Sequence, residues 1–193
     1  MSASRQIEWT IESFLAWEEQ QELRYEFDGF QPIAMTGGTF EHDAVQVALV
    51  RALGNRLEGK PCRVHGNSLK IRVMGSIRYP DAFVSCTPVS RGAMVLTEPV
   101  VIFEIMSKST ARIDRTRKNR EYAGTGSVLR YIMLEQTAID GMMFVRAADG
   151  QDWVGHVLQP GGIIQMPEIG IELPLDELYR GLDLSDPDPA EII

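Results

Sequence analysis

Three segments decide the fold of this chain: RYPDAFVSC at 78–86, VVIFEIMSKST at 100–110 and ARIDRTRKNREY at 111–122. The first two are apolar runs rich in β-branched and aromatic residues, which predict strands, and the second run is continuous enough for a strand buried on both faces. The third segment follows the pair Ser109 and Thr110, which suits a helix N-cap. The predicted order is therefore strand, strand and helix.

Each of the two predicted strands contains one acid. Asp81 follows Pro80, whose fixed φ and missing N–H suit the start of a strand, and Glu104 lies inside the second apolar run. A buried carboxylate is costly unless it is paired, ligated or protonated. If the two strands are neighbours, the carboxylates converge, and two hard oxygen donors suit Mg²⁺ or Mn²⁺. We therefore predict a metal site at Asp81 and Glu104.

The predicted helix is strongly basic. Asp114, Lys118 and Tyr122 recur at intervals of four, which places them on one side of a helix, so Lys118 can point back at the strand ends. Between positions 108 and 120, six cations stand against one acid, which reverses the local sign of charge in an acidic chain. These cations are Lys108, Arg112, Arg115, Arg117, Lys118 and Arg120.

Length and composition are ordinary for a soluble globular protein. The 193 residues are 44% hydrophobic and 24% charged, and no low-complexity linker divides them. We expect one domain over 1–182 and an acidic, Pro-containing tail over 183–193. The net charge of −8 argues against a protein that coats nucleic acid generally. A nuclease is still allowed, because its metal ligands are acids and one basic patch can contact phosphate.

The two cysteines, Cys62 and Cys86, form no C-x-x-C motif. Zinc and a disulfide framework are therefore not expected, and we predict two reduced thiols in a cytoplasmic protein. The first ten residues lack an apolar segment, and no apolar run is long enough to span a bilayer. We expect neither secretion nor membrane insertion.

Periodicity and turn residues predict the other elements. Thr10 is a candidate N-cap for a short helix beginning at Ile11. The remaining predictions are a hairpin, a long amphipathic helix, five strands and a closing helix, at 24–27 with 31–35, 41–57, 62–65, 68–73, 129–134, 141–145, 153–158 and 174–180.

Several short motifs occur in one order between about residues 10 and 179: YEFDG at 25–29, His42, YPD at 79–81, FEIMS at 103–107, and then Asp114, Lys118 and Tyr122. Together they resemble the Uma-two family of restriction-endonuclease-like proteins, in the PD-(D/E)XK nuclease superfamily. The resemblance implies an α/β, restriction-endonuclease-like core with a mixed β-sheet flanked by helices. It also implies metal-dependent hydrolysis of DNA phosphodiester bonds.

The family's functional residues match positions of this chain. Asp81 matches the first acid and Glu104 the second, and Glu26 matches an acid supplied from an earlier helix or hairpin. The superfamily's usual lysine position holds Met106, and Lys118 on the next helix matches a migrated lysine. Lys108 departs from the family's usual proline, and this departure predicts a less rigid loop.

The resemblance implies a mechanism. Asp81, Glu104 and the backbone carbonyl of Ile105 would hold one Mg²⁺, and Lys118 would orient a water and neutralise charge. Glu26 would complete the metal sphere or bind a second ion. Flanking phosphates would contact Lys108, Arg112 or Arg115 without sequence readout. Many nucleases of this superfamily act as dimers, so a homodimer is allowed.

Structural interpretations stay open for each residue. Asp81 can be a turn or cap residue, Glu104 and Lys118 can form a structural salt bridge, and Glu26 can be a strand-edge acid paired with Arg24 or another surface cation. His42 can cap a helix or hydrogen-bond near the site, and Tyr122 can pack in the core with its hydroxyl towards the site. At the level of the chain, the alternatives are an inactive nuclease-fold protein that binds nucleic acid or a protein partner, and a hydrolase with another substrate.

Overall fold

The computed structural model describes residues 8–106, 112–147 and 153–185. The described helices are α1 Ile11–Glu18, α2 Phe40–Leu57 and α3 Arg112–Ala123, and none of them is both long and apolar enough to cross a bilayer. The strands are β1 Tyr25–Phe27, β2 Pro32–Ala34, β3 Arg63–Gly66, β4 Lys70–Val73, β5 Ser76–Arg78, β6 Ala82–Ser85, β7 Val95–Leu96, β8 Pro99–Met106, β9 Arg130–Glu135, β10 Gly141–Arg146, β11 Trp153–Leu158, β12 Ile163–Met166 and β13 Ile171–Pro174. Two short 3-10 helices cover Pro167–Ile169 and Leu175–Tyr179.

A six-stranded mixed sheet forms the centre of the fold, with the order β11-β10-β9-β8-β6-β3. Strands β8 and β9 are parallel, and the other neighbours are antiparallel. Strand β8 is the apolar run predicted to be buried, and seven of its eight residues are buried. The mixed α/β architecture predicted for the core is confirmed.

The two faces of this sheet are covered by different elements. Val101, Phe103 and Ile105 of β8 pack in one cluster with the apolar stripe of α2. Ile102 packs on the opposite face, with Tyr122 of α3 and residues of the smaller sheet. Because side chains alternate along a strand, Glu104 shares the Ile102 face and points towards α3. The alternation of β8 thus directs its one acid to the basic helix.

A second, five-stranded sheet has the order β2-β1-β5-β4-β7, and β12 pairs with β13 in a two-stranded ribbon. The predicted hairpin and α2 are present, whereas β5, β7, β12 and β13 were not predicted. Strands β5 and β7 contain only three and two residues, too few to show a period of two. The predicted closing helix is the 3-10 helix Leu175–Tyr179.

The prediction of two reduced thiols is wrong, since Cys62 and Cys86 form a disulfide. Strands β3 and β6 pair antiparallel with Arg63 opposite Ser85, so the register continues to Cys62 opposite Cys86. Their Cα atoms are 3.9 Å apart, although 24 positions separate them in sequence. The pairing depends on strand register, which cysteine spacing alone does not reveal.

Reducing this disulfide should lower the free energy of unfolding by about 2–4 kcal/mol, because the bond restricts the unfolded chain. Urea unfolding with and without dithiothreitol measures the change, and intact mass confirms the gain of two hydrogens. A Cys62→Ser/Cys86→Ser variant should unfold at the reduced midpoint in both buffers. An oxidised protein whose midpoint does not respond to reductant would contradict the expectation.

Candidate active site

A cavity of about 910 Å³ opens where the predicted site residues meet. Its walls come from the β1–β2 hairpin, the loop before α2, the first turns of α2, the ends of β6 and β8, and α3. Glu26, Asp81, Glu104, Ile105 and Lys118 all line it. The structure therefore brings together the residues predicted for metal binding and catalysis.

Asp81 is held at the start of β6 by three contacts. Its Oδ2 accepts a hydrogen bond of 2.7 Å from the Ile105 N–H, and its backbone carbonyl accepts one of 2.8 Å from Gln46 Nε2. Ala82 pairs with Phe103, so the same register continued by one residue places Asp81 opposite Glu104. The expectation that the two acid-bearing strands are neighbours is confirmed.

His42, in the first turn of α2, provides the third contact. Its Nε2 lies 3.2 Å from Asp81 Oδ1. The hydrogen bond to Asp81 raises the pKa of His42, and burial opposes the rise. Thr39 caps α2 by accepting from the His42 N–H. This contact agrees with the alternative that His42 hydrogen-bonds near the site.

Glu104 is buried, with 8% of its surface exposed. Lys118 Nζ lies 3.1 Å and 3.2 Å from its two oxygens, and the Tyr122 hydroxyl donates a hydrogen bond of 2.7 Å. Burial raises the pKa of Glu104 to about 7, the Lys118 ammonium opposes the rise, and repulsion from Asp81 and Glu26 adds to it. Lys118 and Tyr122 thus both lie on the side of α3 that faces β8, as their interval of four predicted.

Glu26 of β1 is also buried. Its Oε2 accepts from Arg78 Nη1 at 2.9 Å, and its Oε1 accepts from the Tyr79 N–H at 3.0 Å and lies 3.5 Å from Lys118 Nζ. Burial acts to raise its pKa, but Lys118 and Arg78 outweigh burial and hold the pKa of Glu26 below its usual value. The alternative of a surface pair with Arg24 is wrong, since Arg24 donates to the Asn67 carbonyl instead.

Comparison with known proteins identifies the family of this chain. The sequence model of a family described as "Putative restriction endonuclease" matches residues 11–176. The chain belongs to the Uma-two family. An uncharacterized Synechocystis sp. protein is 32% identical over 174 residues, covering 89% of this chain and 91% of that protein.

A solved structure also resembles this Uma-two protein. The crystal structure of "a putative nuclease belonging to DUF820" from Anabaena variabilis superposes with a TM-score of 0.73. The alignment covers 89% of this chain and 97% of that one, at 16% sequence identity. At this identity the likeness establishes a shared fold.

Sequence reasoning missed a buried network behind the Uma-two site. Arg78 is fully buried, and its Nε and Nη2 donate to the two oxygens of Glu121 at 2.7 Å and 2.8 Å. The Ser76 hydroxyl donates to Glu121 Oε1 at 2.9 Å. The sequence offered one indication of this network: Arg78 directly precedes the YPD motif, and Glu121 directly precedes Tyr122.

No contact of the described residues brings the predicted phosphate-binding residues Lys108, Arg112 and Arg115 to the cavity. Lys108 lies outside the described residues, and Arg112 and Arg115 begin α3 with side chains that also lie outside them. Arg117, the next cation along α3, forms an ion pair with Asp28. The contacts of Lys108, Arg112 and Arg115 with phosphate stay predictions.

The donor set fits a hard divalent cation with few protein ligands. Within 8–106, 112–147 and 153–185, no three side chains of His, Cys, Asp or Glu are grouped so as to hold an ion. Mg²⁺ is commonly bound by one or two carboxylates, with water and phosphate filling its other positions. The linked cluster contains four carboxylates, on Glu26, Asp81, Glu104 and Glu121, and three groups that carry or can take a positive charge, Lys118, Arg78 and His42. Within it, Asp81 and Glu104 are two acids that meet from neighbouring strands, and this pair suits a divalent cation.

Replacing Glu104 by Gln should stabilise the metal-free protein at pH 8. The folded-state pKa of Glu104, about 7, lies above its usual value of 4.5, so its contribution to stability is complete below pH 4.5 and is lost as the pH rises through 7. Because Gln mimics the protonated form, we expect a gain of about 1–3 kcal/mol at pH 8 that vanishes near pH 4.5.

Urea unfolding in EDTA across this pH range measures the difference. Glu58→Gln, at an exposed position after α2, provides the control, and it should leave the free energy of unfolding near that of wild type. A Glu104→Gln protein less stable than wild type at pH 8 would instead support a stabilising salt bridge between Glu104 and Lys118.

Proposed function

We propose that this protein is a Mg²⁺-dependent endonuclease that hydrolyses DNA phosphodiester bonds. The observation that supports this best is the meeting of three groups in one cavity. Asp81 and Glu104 lie opposite each other on neighbouring strands, and Lys118 Nζ is 3.1 Å from Glu104. A buried acid whose pKa is about 7 is costly for a purely structural protein and is useful to one that binds a cation.

In this proposal Asp81, Glu104 and the backbone carbonyl of Ile105 hold the ion. When bound, Mg²⁺ or Mn²⁺ supplies a Lewis acid for the scissile phosphate and lowers the pKa of a water molecule. The protein's share is to hold the ligands in place beforehand. The Ile105 N–H and His42 fix the Asp81 carboxylate, and the Tyr122 hydroxyl fixes that of Glu104.

Lys118 contributes a positive charge beside the reacting phosphate. Its ammonium group can donate one hydrogen bond to the attacking water while it retains a contact with Glu104, because ammonium has three donors. A cation held in a buried site stabilises charge that develops in the transition state more strongly than the same cation does in water. Only 11% of the Lys118 side chain is exposed, which satisfies this condition.

In this proposal DNA is bound by basic residues just before α3 and in its first turn. Lys108, Arg112 and Arg115 precede Lys118 by three to ten positions, so we propose that they contact phosphates flanking the one that reacts. Such contacts position a substrate without reading its sequence. A homodimer would supply a second cavity for the second strand of a duplex, and linear product formed without a nicked intermediate would support it.

The proposal is tested by incubating purified protein with supercoiled plasmid and with single-stranded DNA. The incubations contain Mg²⁺, Mn²⁺ or EDTA. Cleavage with either metal and none in EDTA is the expected result. Cleavage that persists in EDTA would contradict the metal site, and no cleavage of either DNA with any metal would favour an inactive nuclease-fold protein.

A further inference from the structure

We infer that Arg78, which no motif or comparison assigns, positions Lys118 for reaction through Glu26 and Glu121. This inference rests on the proposed nuclease function, because Lys118, the residue that Arg78 positions, is catalytic only if that function is correct. Arg78 ends β5, and its side chain is completely buried between β1 and α3. A buried guanidinium in this place connects three elements that the sequence keeps far apart.

The contacts of Arg78 use the fork shape of its side chain. One edge donates to both oxygens of Glu121, at 2.7 Å and 2.8 Å, and Nη1 donates to Glu26 Oε2 at 2.9 Å. A lysine has one nitrogen and cannot span two carboxylates in this way. The arrangement therefore requires arginine and not simply positive charge.

The link through Glu26 is electrostatic. Lys118 Nζ lies between two acids, 3.1 Å from Glu104 Oε1 and 3.5 Å from Glu26 Oε1. Arg78 occupies Glu26 Oε2 and neutralises part of its charge, which leaves Lys118 nearer to Glu104. Without the guanidinium, the charge of Glu26 would be compensated by Lys118 alone, and Lys118 would move towards Glu26.

The link through Glu121 is mechanical. Glu121 follows Lys118 by three residues on α3, so the two side chains lie on the same side of the helix. Ser76, at the other end of β5, donates a hydrogen bond of 2.9 Å from its hydroxyl to Glu121 Oε1. The turn of α3 that presents Lys118 is thereby fixed to β5.

The inference also changes the role proposed for Glu26. The sequence resemblance implied a metal ligand, but Glu26 Oε2 accepts from the buried Arg78 guanidinium, a permanent charge whose hydrogen bonds go to Glu26 and Glu121 and not to Asp81 or Glu104. We therefore assign Glu26 to positioning Lys118 and leave the metal to Asp81 and Glu104.

The test compares Arg78→Met, Arg78→Lys and Glu26→Gln. Arg130→Met is the matched control, since Arg130 is another buried arginine that forms two bonds with one carboxylate, Glu168, and it does not line the cavity. The chain has only four lysines, Lys60, Lys70, Lys108 and Lys118, so the side-chain NMR signal of Lys118 can be assigned with a Lys118→Met variant. Mn²⁺ affinity and cleavage rates are measured on the same samples.

Both Arg78 variants should shift the side-chain NMR signal of Lys118. They should lower kcat by about tenfold or more while KM and Mn²⁺ affinity stay within about threefold, because neither substrate nor metal contacts Arg78. Glu26→Gln should shift the same signal and retain Mn²⁺ affinity. Arg130→Met should leave the Lys118 signal and kcat unchanged.

An unshifted Lys118 signal in the folded Arg78 variants would overturn the inference. Should Arg78→Met fail to fold, Arg78→Lys decides, because it retains the buried charge. A large loss of Mn²⁺ affinity in Glu26→Gln would restore Glu26 as a metal ligand and refute its positioning role. If wild type cleaves no DNA, the proposed function fails, and the NMR shift still shows whether Arg78 positions Lys118.

Discussion

Replacing Asp81 by Asn should lower the rate of metal-dependent DNA cleavage by about a thousandfold or more, because one of two charged metal ligands is lost. Asn retains the shape of the side chain, and its oxygen can still accept from the Ile105 N–H. The fold should therefore survive. Initial cleavage rates at saturating Mg²⁺, together with thermal unfolding of the same samples, separate lost chemistry from lost structure.

The control for Asp81→Asn is Asp43→Asn. Asp43 is an exposed acid that lines the same cavity from the first turn of α2. Its replacement changes the net charge equally and should leave the rate near that of wild type. Equal rates for wild type and a folded Asp81→Asn variant would exclude the proposed site.

Replacing Lys118 by Met should lower kcat by about 10²–10³-fold, since a buried cation that stabilises transition-state charge is removed. Mn²⁺ binding should be retained or become tighter, because Glu104 loses the ammonium that competes with the metal for its oxygens. If Lys118 is catalytic, its replacement should therefore lower kcat without weakening Mn²⁺ binding. Arg117→Met, one position earlier on α3, removes a cation paired with Asp28 and is expected to change neither.

A structural salt bridge predicts a different outcome for Lys118→Met. In that case the loss would be in stability, and folded Lys118→Met protein would cleave DNA as fast as wild type. Calorimetry of Mn²⁺ binding and single-turnover cleavage on the same samples distinguish the two roles. Cleavage at the wild-type rate would remove Lys118 from the mechanism.

Local patterns were sufficient to predict the central strand and the basic helix. The apolar run of β8 is long and uninterrupted, so its burial and the burial of Glu104 followed from sequence. The interval of four between Lys118 and Tyr122 placed both on the side of α3 that faces Glu104. Convergence of Asp81 with Glu104 needed one further assumption, that their strands pair, and the register of β6 with β8 supplies it.

Long-range geometry explains what the sequence could not predict. Arg78 joins Glu26 and Glu121, which are 52 and 43 positions away, and no local pattern relates these three residues. Strand β5, which carries Arg78, is too short to show a periodic pattern. The disulfide likewise depends on the pairing of β3 with β6, which the sequence does not reveal. DNA enters by resemblance, and the metal was predicted from two acids whose geometry is also compatible with a buried ion pair.

The most direct test is a crystal soaked in Mn²⁺ and measured for anomalous scattering. A metal-dependent nuclease requires a peak between Asp81 and Glu104, with carboxylate oxygens at about 2.1 Å and Lys118 beside it. Glu26 should stay on Arg78 and outside the coordination sphere. A fully soaked crystal with no peak at these carboxylates, or with Mn²⁺ held elsewhere, would contradict the proposed centre.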